Sequence, residues 1–132
     1  MQTKQAGFTL IELVVVIVIL GILSAVALPR FINLSGEAAQ AAAQGVAGAV
    51  SSATAINYAA RKASSTAGFG PISDCTTANT AMATIMSGGL PSPYTLTGAG
   101  TCTDGNTVTC TITNPSVSPV RTASAVVVCV NP

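Results

Sequence analysis

Glu12 is the residue whose position in the sequence most needs a chemical explanation. It is the one charged side chain in residues 8–28, which read FTLIELVVVIVILGILSAVAL. An ionisable group in a lipid-facing helix costs on the order of 2–4 kcal/mol, so it is expected to have a partner. The sequence offers Glu12 no partner within reach in its own chain. Glu12 therefore indicates either a partner on another molecule or a carboxyl group that is protonated or lies near the membrane interface.

The other side chains offer little for catalysis. The 132 residues contain no histidine, which removes the commonest general base and the commonest metal ligand. Outside the N-terminal segments that hold Glu12 and Glu37, the acids are Asp74 and Asp104 alone. An active site needs a richer set of polar groups. We therefore predict a protein that is not an enzyme and that holds no metal or other cofactor.

Charge and composition limit the classes of partner that this protein is expected to bind. The formal net charge is +1, only 7% of residues are charged, and Arg61 and Lys62 are the one adjacent pair of bases. Binding to phosphate backbones needs clustered Lys and Arg, so no nucleic-acid site is expected. Two bases near the end of a predicted helix are more typical of a favourable interaction with its dipole.

The apolar run that holds Glu12 predicts a membrane-spanning helix. As a helix, residues 8–28 extend about 31 Å, close to the hydrocarbon thickness of about 30 Å. The run is too long for the apolar part of an ordinary secretory signal, and no A-x-A boundary follows it. We predict three segments: a leader at 1–7, a transmembrane helix at 8–29 and a domain at 30–132.

The sequence after Pro29 predicts a second helix and a small sheet. The helix is expected from about Gly36 to Lys62, with Ser35 as its N-cap. Its apolar residues recur at spacings of three or four, which indicates one narrow stripe facing the sheet. The stripe consists of Val46, Val50, Ala53, Ile56 and Ala60.

The C-terminal half predicts a short helix followed by strands. Asp74 or Thr76 caps a helix that ends at Gly88-Gly89, and Asp104-Gly105 signals a hairpin turn. Alternation and β-branched residues predict strands near 94–97, 107–113 and 123–130. The fold class is α+β, with a long N-terminal helix packed through its second half on a small, disulfide-stapled antiparallel sheet.

Residues 7–31, GFTLIELVVVIVILGILSAVALPRF, resemble the N-terminal signature of type IV pilins. The resemblance implies that a prepilin peptidase cuts between Gly7 and Phe8 and methylates the new amine of Phe8. It also implies that Glu12 pairs with the N-terminal amine of a neighbouring subunit during assembly. Gly21 and Pro29 then bound a segment that extends on assembly, or they serve ordinary helix packing and kinking.

Four cysteines, at positions 75, 102, 110 and 129, form no Cys-x-x-Cys motif. An even number in a small domain predicts two disulfides in an oxidising compartment, with buried free thiols as the alternative. We prefer Cys75 with Cys110 and Cys102 with Cys129. The rival pairing joins Cys102 to Cys110 across the predicted hairpin and Cys75 to Cys129.

The resemblance implies a major pilin that starts in the inner membrane and ends in an extracellular pilus. Its partners are then copies of itself, the prepilin peptidase and the inner-membrane assembly machinery. Adhesion, twitching motility and DNA uptake are open as roles. The alternative is a type II secretion pseudopilin. An acidic calcium loop is typical of major pseudopilins, and this chain has no acidic residue after Asp104. A minor pilin is less favoured because such subunits often replace the residue matching Glu12.

Overall fold

The computed structural model describes residues 7–131, except for the side chains of residues 32 and 33. Two α-helices precede three β-strands: α1 (Leu10–Ala63), α2 (Cys75–Ile85), β1 (Thr95–Thr97), β2 (Thr107–Asn114) and β3 (Arg121–Val128). The chain divides into two compact units between Ser35 and Gly36, within α1. The predicted α+β class is confirmed. The predicted leader lies outside the described residues apart from Gly7.

Helix α1 is continuous where the sequence predicted a break. It passes through Pro29 and through Ser35, so Ser35 is not an N-cap and that prediction is wrong. The residues on both sides are rich in Ala and Leu, which favour helix. Because these flanking residues keep the backbone helical, the side chain of Ser35 does not begin a new helix.

The sheet is antiparallel in the order β1–β2–β3, and β2 is its central strand. Thr95 lies opposite Thr113, and Cys110 lies opposite Ala125. Residues on one face of β2 are buried in alternation, as the period of a strand requires. The predicted strands are confirmed to within a few residues, and the loop bracketed by Pro115 and Pro119 connects β2 to β3.

Asp104-Gly105 forms the turn that the sequence predicted, within a longer loop between two paired strands. The N–H of Asn106 donates to the carbonyl of Thr103 (3.0 Å), and Gly105 has a φ of +78° that favours glycine. This turn lies in the loop between β1 and β2, where no two-residue connection joins paired strands. β1 and β2 do form an antiparallel hairpin, and residues 98–106 connect them in a loop that is longer than the tight turn typical of Asp-Gly.

The core of the second unit is formed by one face of the sheet, α2 and part of α1. Its largest fully buried side chains include Ile72, Met82, Ile112, Val50, Val127 and Val130. Asp74 is the N-cap of α2, where its carboxylate accepts from the N–H of Thr77 (2.7 Å) and the Thr77 hydroxyl accepts from the N–H of Asp74 (3.1 Å). These two contacts satisfy backbone donors at the helix start.

The stripe of α1 that faces this core differs from the predicted one. The buried residues are Ala43, Ala47, Val50, Thr54 and Asn57. Of the predicted stripe only Val50 is fully buried, whereas Ile56 is 70% exposed. Small residues allow close approach of the helix, and the polar ones bond to backbone groups: Asn57 Oδ1 accepts from the N–H of Phe69 (2.7 Å). The apolar count therefore placed the buried stripe on the wrong residues.

Candidate processing and assembly site

The first turn of α1 holds the predicted assembly residue in a capping box. Thr9 is the residue before the helix, and both its N–H (2.9 Å) and its hydroxyl (2.6 Å) donate to Glu12 Oε2. The N–H of Glu12 in turn lies 3.3 Å from the Thr9 hydroxyl oxygen. Reciprocal contacts of this kind satisfy donors that the first helical turn leaves free.

Sequence reasoning assigned Glu12 no partner within its own chain, and the structure corrects this. The missed residue is Thr9, and the signal that identifies it is the spacing Thr-x-x-Glu before an apolar run. The carboxylate is thus held at the helix start while its second oxygen, Oε1, has no hydrogen bond among the described residues. One oxygen is fixed, and the other stays available to a donor from outside.

An apolar groove of about 340 Å³ lies beside the carboxylate. Its lining residues are Phe8, Ile11, Glu12, Val15 and Val16. Phe8 is 87% exposed and immediately precedes Thr9, so the predicted cleavage position lies at the end of this groove. Glu12 is therefore surrounded by aliphatic side chains that present apolar surface to any neighbour.

The first unit exposes nearly all of its large apolar side chains. Those exposed between the helix start and Ser35 are Leu10, Ile11, Leu13, Val14, Val15, Val16, Ile17, Val18, Ile19, Leu20, Ile22, Leu23, Val26, Leu28, Phe31 and Leu34. By length and composition α1 is sufficient to cross a membrane. A surface this apolar is not stable in water, so it must be covered by lipid or by other protein.

Gly21 and Pro29 lie inside α1, and the segment between them is helical. A Cβ added to Gly21 would meet no atom within 4 Å among the described residues. Pro29 lacks the N–H that would otherwise bond to the preceding turn, which weakens the helix at this point. Extension of this segment on assembly stays a prediction.

The four cysteines form two disulfides, Cys75–Cys110 and Cys102–Cys129, with Cα–Cα distances of 5.7 and 6.1 Å. The first joins the start of α2 to the centre of β2, and both of its cysteines are fully buried. The second joins the loop after β1 to the residue that follows β3. Cys102 lies in the loop between β1 and β2, so this disulfide does not join two neighbouring strands.

Lys62 and Asp104 form an ion pair beside the second disulfide. The hydrogen bond from Lys62, followed by one from the N–H of Asn131, holds the pKa of Asp104 below its ordinary value. The same contact raises the pKa of Lys62. The end of α1 is thereby attached to the turn and to the C-terminal residues.

Comparison with known proteins identifies the N-terminal segment. Residues 2–28 match the family described as the prokaryotic N-terminal methylation motif. This match covers most of residues 7–31, the segment that resembles type IV pilins.

Particular relatives extend the likeness. The chain is 57% identical over 53 residues to the type IV narrow pilus major component PilA5 of Thermus thermophilus, covering 40% of this chain and 46% of that protein. It is 58% identical over 38 residues to the type IV major pilin protein PilE1 of Neisseria gonorrhoeae and to a fimbrial protein of Neisseria meningitidis. Those matches cover 29% of this chain and 23% and 22% of the relatives.

The chain thus spans less than half the length of the curated relatives it matches. These relatives are named as pilins or fimbrial proteins and not as enzymes, which agrees with the prediction that this chain is not an enzyme. No solved structure matches the chain significantly.

Proposed function

We propose that this chain is the major structural subunit of a type IV pilus and works by polymerisation. The observation that carries the proposal is the position of Glu12, a carboxylate held at the start of an exposed apolar helix. In lipid, a carboxylate without a counter-ion is destabilising. A neighbouring subunit with a free amine supplies that counter-ion. Pairing the two charges relieves the desolvation cost of both.

The amine in this proposal comes from cleavage between Gly7 and Phe8 by a prepilin peptidase, which also methylates Phe8. The new amine belongs to the residue before Thr9 and lies at the end of the apolar groove. Charge pairing then fixes the register of each added subunit, as a single polar residue does in helical assemblies. The apolar side chains supply the area of contact, and Glu12 selects one axial position.

In this proposal the chain begins as a single-pass protein of the inner membrane and ends in an extracellular pilus. Residues 8–29 act first as the transmembrane segment and then as part of the filament core, while residues 30–132 form the outer domain. The partners are copies of the same chain, the peptidase and the inner-membrane assembly machinery. Adhesion, motility and DNA uptake are roles of the whole filament, and a secretion pseudopilin is the alternative.

The test is to shear filaments from cells and to determine the mature subunit by intact-mass and fragment spectra. The expected mature chain begins at methylated Phe8. We also expect non-reduced digests to contain peptides linked through Cys75–Cys110 and Cys102–Cys129. A different N-terminus, or a chain recovered only as a dispersed monomer, contradicts the proposal. A short filament confined to the periplasm favours the pseudopilin.

A further inference from the structure

The edge of β3 that faces away from β2 is covered by side chains of a helix and not by another strand. β2 pairs with one side of β3, and the other side carries the N–H groups of Val126 and Val128 and the carbonyl of Thr122. A strand edge of this kind is a template for pairing with another strand. In this domain the edge meets side chains of α1 where a further strand would otherwise lie.

Three side chains of α1 bond to the edge. The N–H of Val126 donates to Ser51 Oγ (2.9 Å), and the N–H of Val128 donates to Thr54 Oγ1 (3.2 Å). Nearer the N-terminus of the helix, Gln40 Nε2 donates to the carbonyl of Thr122 (2.7 Å). The helix and the strand run in the same direction, so successive helix residues meet successive edge groups.

The two hydroxyl groups are oriented as acceptors by their own helix. Ser51 Oγ donates to the carbonyl of Ala47 (2.9 Å), and Thr54 Oγ1 donates to the carbonyl of Ser51 (3.1 Å). A hydroxyl has one proton, so once it is used on the helix only lone pairs face the strand. Ser51 and Thr54 therefore replace two carbonyl groups of a missing strand.

The cover is incomplete at one residue. Alternate residues of a strand point their backbone groups the same way, so Ser124 faces the edge together with Thr122 and Val126. Among the described residues, no side chain bonds to the backbone of Ser124. A groove of about 620 Å³ opens here, lined by Gln40, Gln44, Ala47, Gly48, Ser51, Thr111, Thr122, Ala123 and Ser124.

We propose that the β3 edge is a strand-pairing interface that Ser51 and Thr54 keep closed. The partner that fits it once opened is β3 of a second copy, antiparallel, with Ser124 opposite Ser124. Residues 122–128 read TASAVVV, with no charge and no proline. The one charged residue of the strand, Arg121, would lie opposite Val127 of the copy, so like charges do not meet. A two-fold axis through Ser124 places the N–H of Val126 opposite the carbonyl of Thr122 of the copy, and the N–H of Val128 opposite Val120, the residue before β3.

This inference concerns residues 36–131 and does not require the proposed function. If the chain does form pili, closure of this edge leaves α1 as the route of polymerisation and prevents sideways association. The test therefore uses the full-length chain dispersed in detergent, where filament formation is not read. A negative result there leaves the proposed function intact, and wrong processing of the pilin leaves this inference intact.

The test removes both hydroxyls with Ser51→Ala and Thr54→Val together. Amide exchange of Val126 and Val128 is measured in dilute protein, and the mass of the particle is followed by sedimentation as concentration rises. We expect both amides to exchange about three- to tenfold faster, the range of one net hydrogen bond. At high concentration we expect dimers, with exchange of both amides slowed again.

Ser52→Ala is the matched control. Ser52 Oγ donates to the carbonyl of Gly48 (3.0 Å) as Ser51 donates to Ala47, but among the described residues it accepts from no strand. This variant should exchange and sediment like the parent. Thr54→Ser, which keeps the hydroxyl and loses only the methyl group, should keep Val128 protected.

Several results would overturn the inference. Unchanged exchange in the double variant means that the hydroxyls do not close the edge. Faster exchange without association means that β3 is not an interface, and equal association of Ser52→Ala means that the contact lies elsewhere. Should the double variant not fold, Ser51→Ala alone carries the same test at the single amide of Val126.

Discussion

The two halves of α1 solve the problem of apolar surface in different ways. Between Leu10 and Ser35 the helix exposes the large aliphatic side chains that the structure describes. From Gly36 onward it buries small and polar residues such as Ala47 and Thr54 against its own domain. The apolar side chains of the first half are left for contact with lipid or other molecules, whereas the second half packs on its own domain.

The difference shows that the part of a helix with the largest apolar side chains need not be the part that is buried within the chain. The half with the most hydrophobic side chains has the least burial within the chain, whereas the buried half relies on Ala, Val50, Thr and Asn. Close approach, hydrogen bonds and disulfides stabilise the domain where the volume of its core is limited. Changes in the first half should therefore affect assembly, and changes in the second half should affect folding.

The largest expected effect is the loss of filaments in Glu12→Gln. The amide keeps the shape and removes the charge, so a neighbouring amine remains without a counter-ion in an apolar contact. We expect membrane insertion to be unchanged by fractionation and sheared filaments to fall below detection. Glu37→Gln removes an exposed carboxylate from the other half of α1 and is the control, with normal filaments expected. Equal losses in both variants would contradict the contrast between the halves.

Removal of a disulfide is expected to have the next largest effect, confined to the second half. Replacing Cys75 and Cys110 together by Ala should lower the free energy of unfolding by roughly 4 kcal/mol, the loop-entropy value for a separation of 35 residues. The disulfide Cys102–Cys129 closes a shorter loop, with a separation of 27 residues, and Cys102 is only half-buried. Replacing both of its cysteines by Ala should therefore cost slightly less. Denaturant unfolding in detergent measures both, and a larger loss for the second pair would contradict this order.

Val50→Ala and Ile56→Ala distinguish the observed stripe from the one that the sequence predicted. Val50 is fully buried, so its truncation should cost about 2 kcal/mol of unfolding free energy. Ile56 is 70% exposed, and its truncation should change stability by less than about 0.5 kcal/mol. Equal costs would mean that both residues are in the core.

The smallest expected effect is a change in acid stability in Asp104→Asn. The pKa of Asp104 is lowered in the fold, so its contribution is present above the unfolded pKa of about 3.9 and is lost as pH falls through the folded value. The parent should therefore lose stability below about pH 4, and the variant should lose less over the same interval. Asp74, whose pKa is lowered by the N–H of Thr77, keeps part of the acid dependence. Thermal midpoints at pH 7 and pH 3 measure the difference.

Much of the fold follows from local patterns in the sequence. The apolar run, the strands at 107–114 and 121–128 and the Asp74 cap are recognisable because each depends on neighbours within a few residues. The buried stripe of α1 does not follow in the same way. Thr54 and Asn57 are buried because they bond to Val128 and Phe69, which lie 74 and 12 residues away in the chain.

At the candidate site, the sequence predicted the importance of Glu12 but not its hydrogen bonds to Thr9. The spacing of Glu12 in an apolar run was sufficient to select it, whereas its bond to Thr9 needed attention to the start of the helix. Ser35 shows the opposite error, since its local signal for the start of a helix lies inside a continuous helix. Local signals are reliable where tertiary contacts agree with them.

The capping box at Thr9 has an electrical consequence for the proposed mature chain. The N-terminus of a helix carries a partial positive charge from its aligned peptide dipoles, and Glu12 neutralises part of it through Thr9. A new ammonium group on Phe8 would lie at this same positive pole, where its own helix repels it. In the proposed filament, a carboxylate of a neighbouring subunit would offset this repulsion, and the direction of the helix dipole would then set the direction in which subunits add.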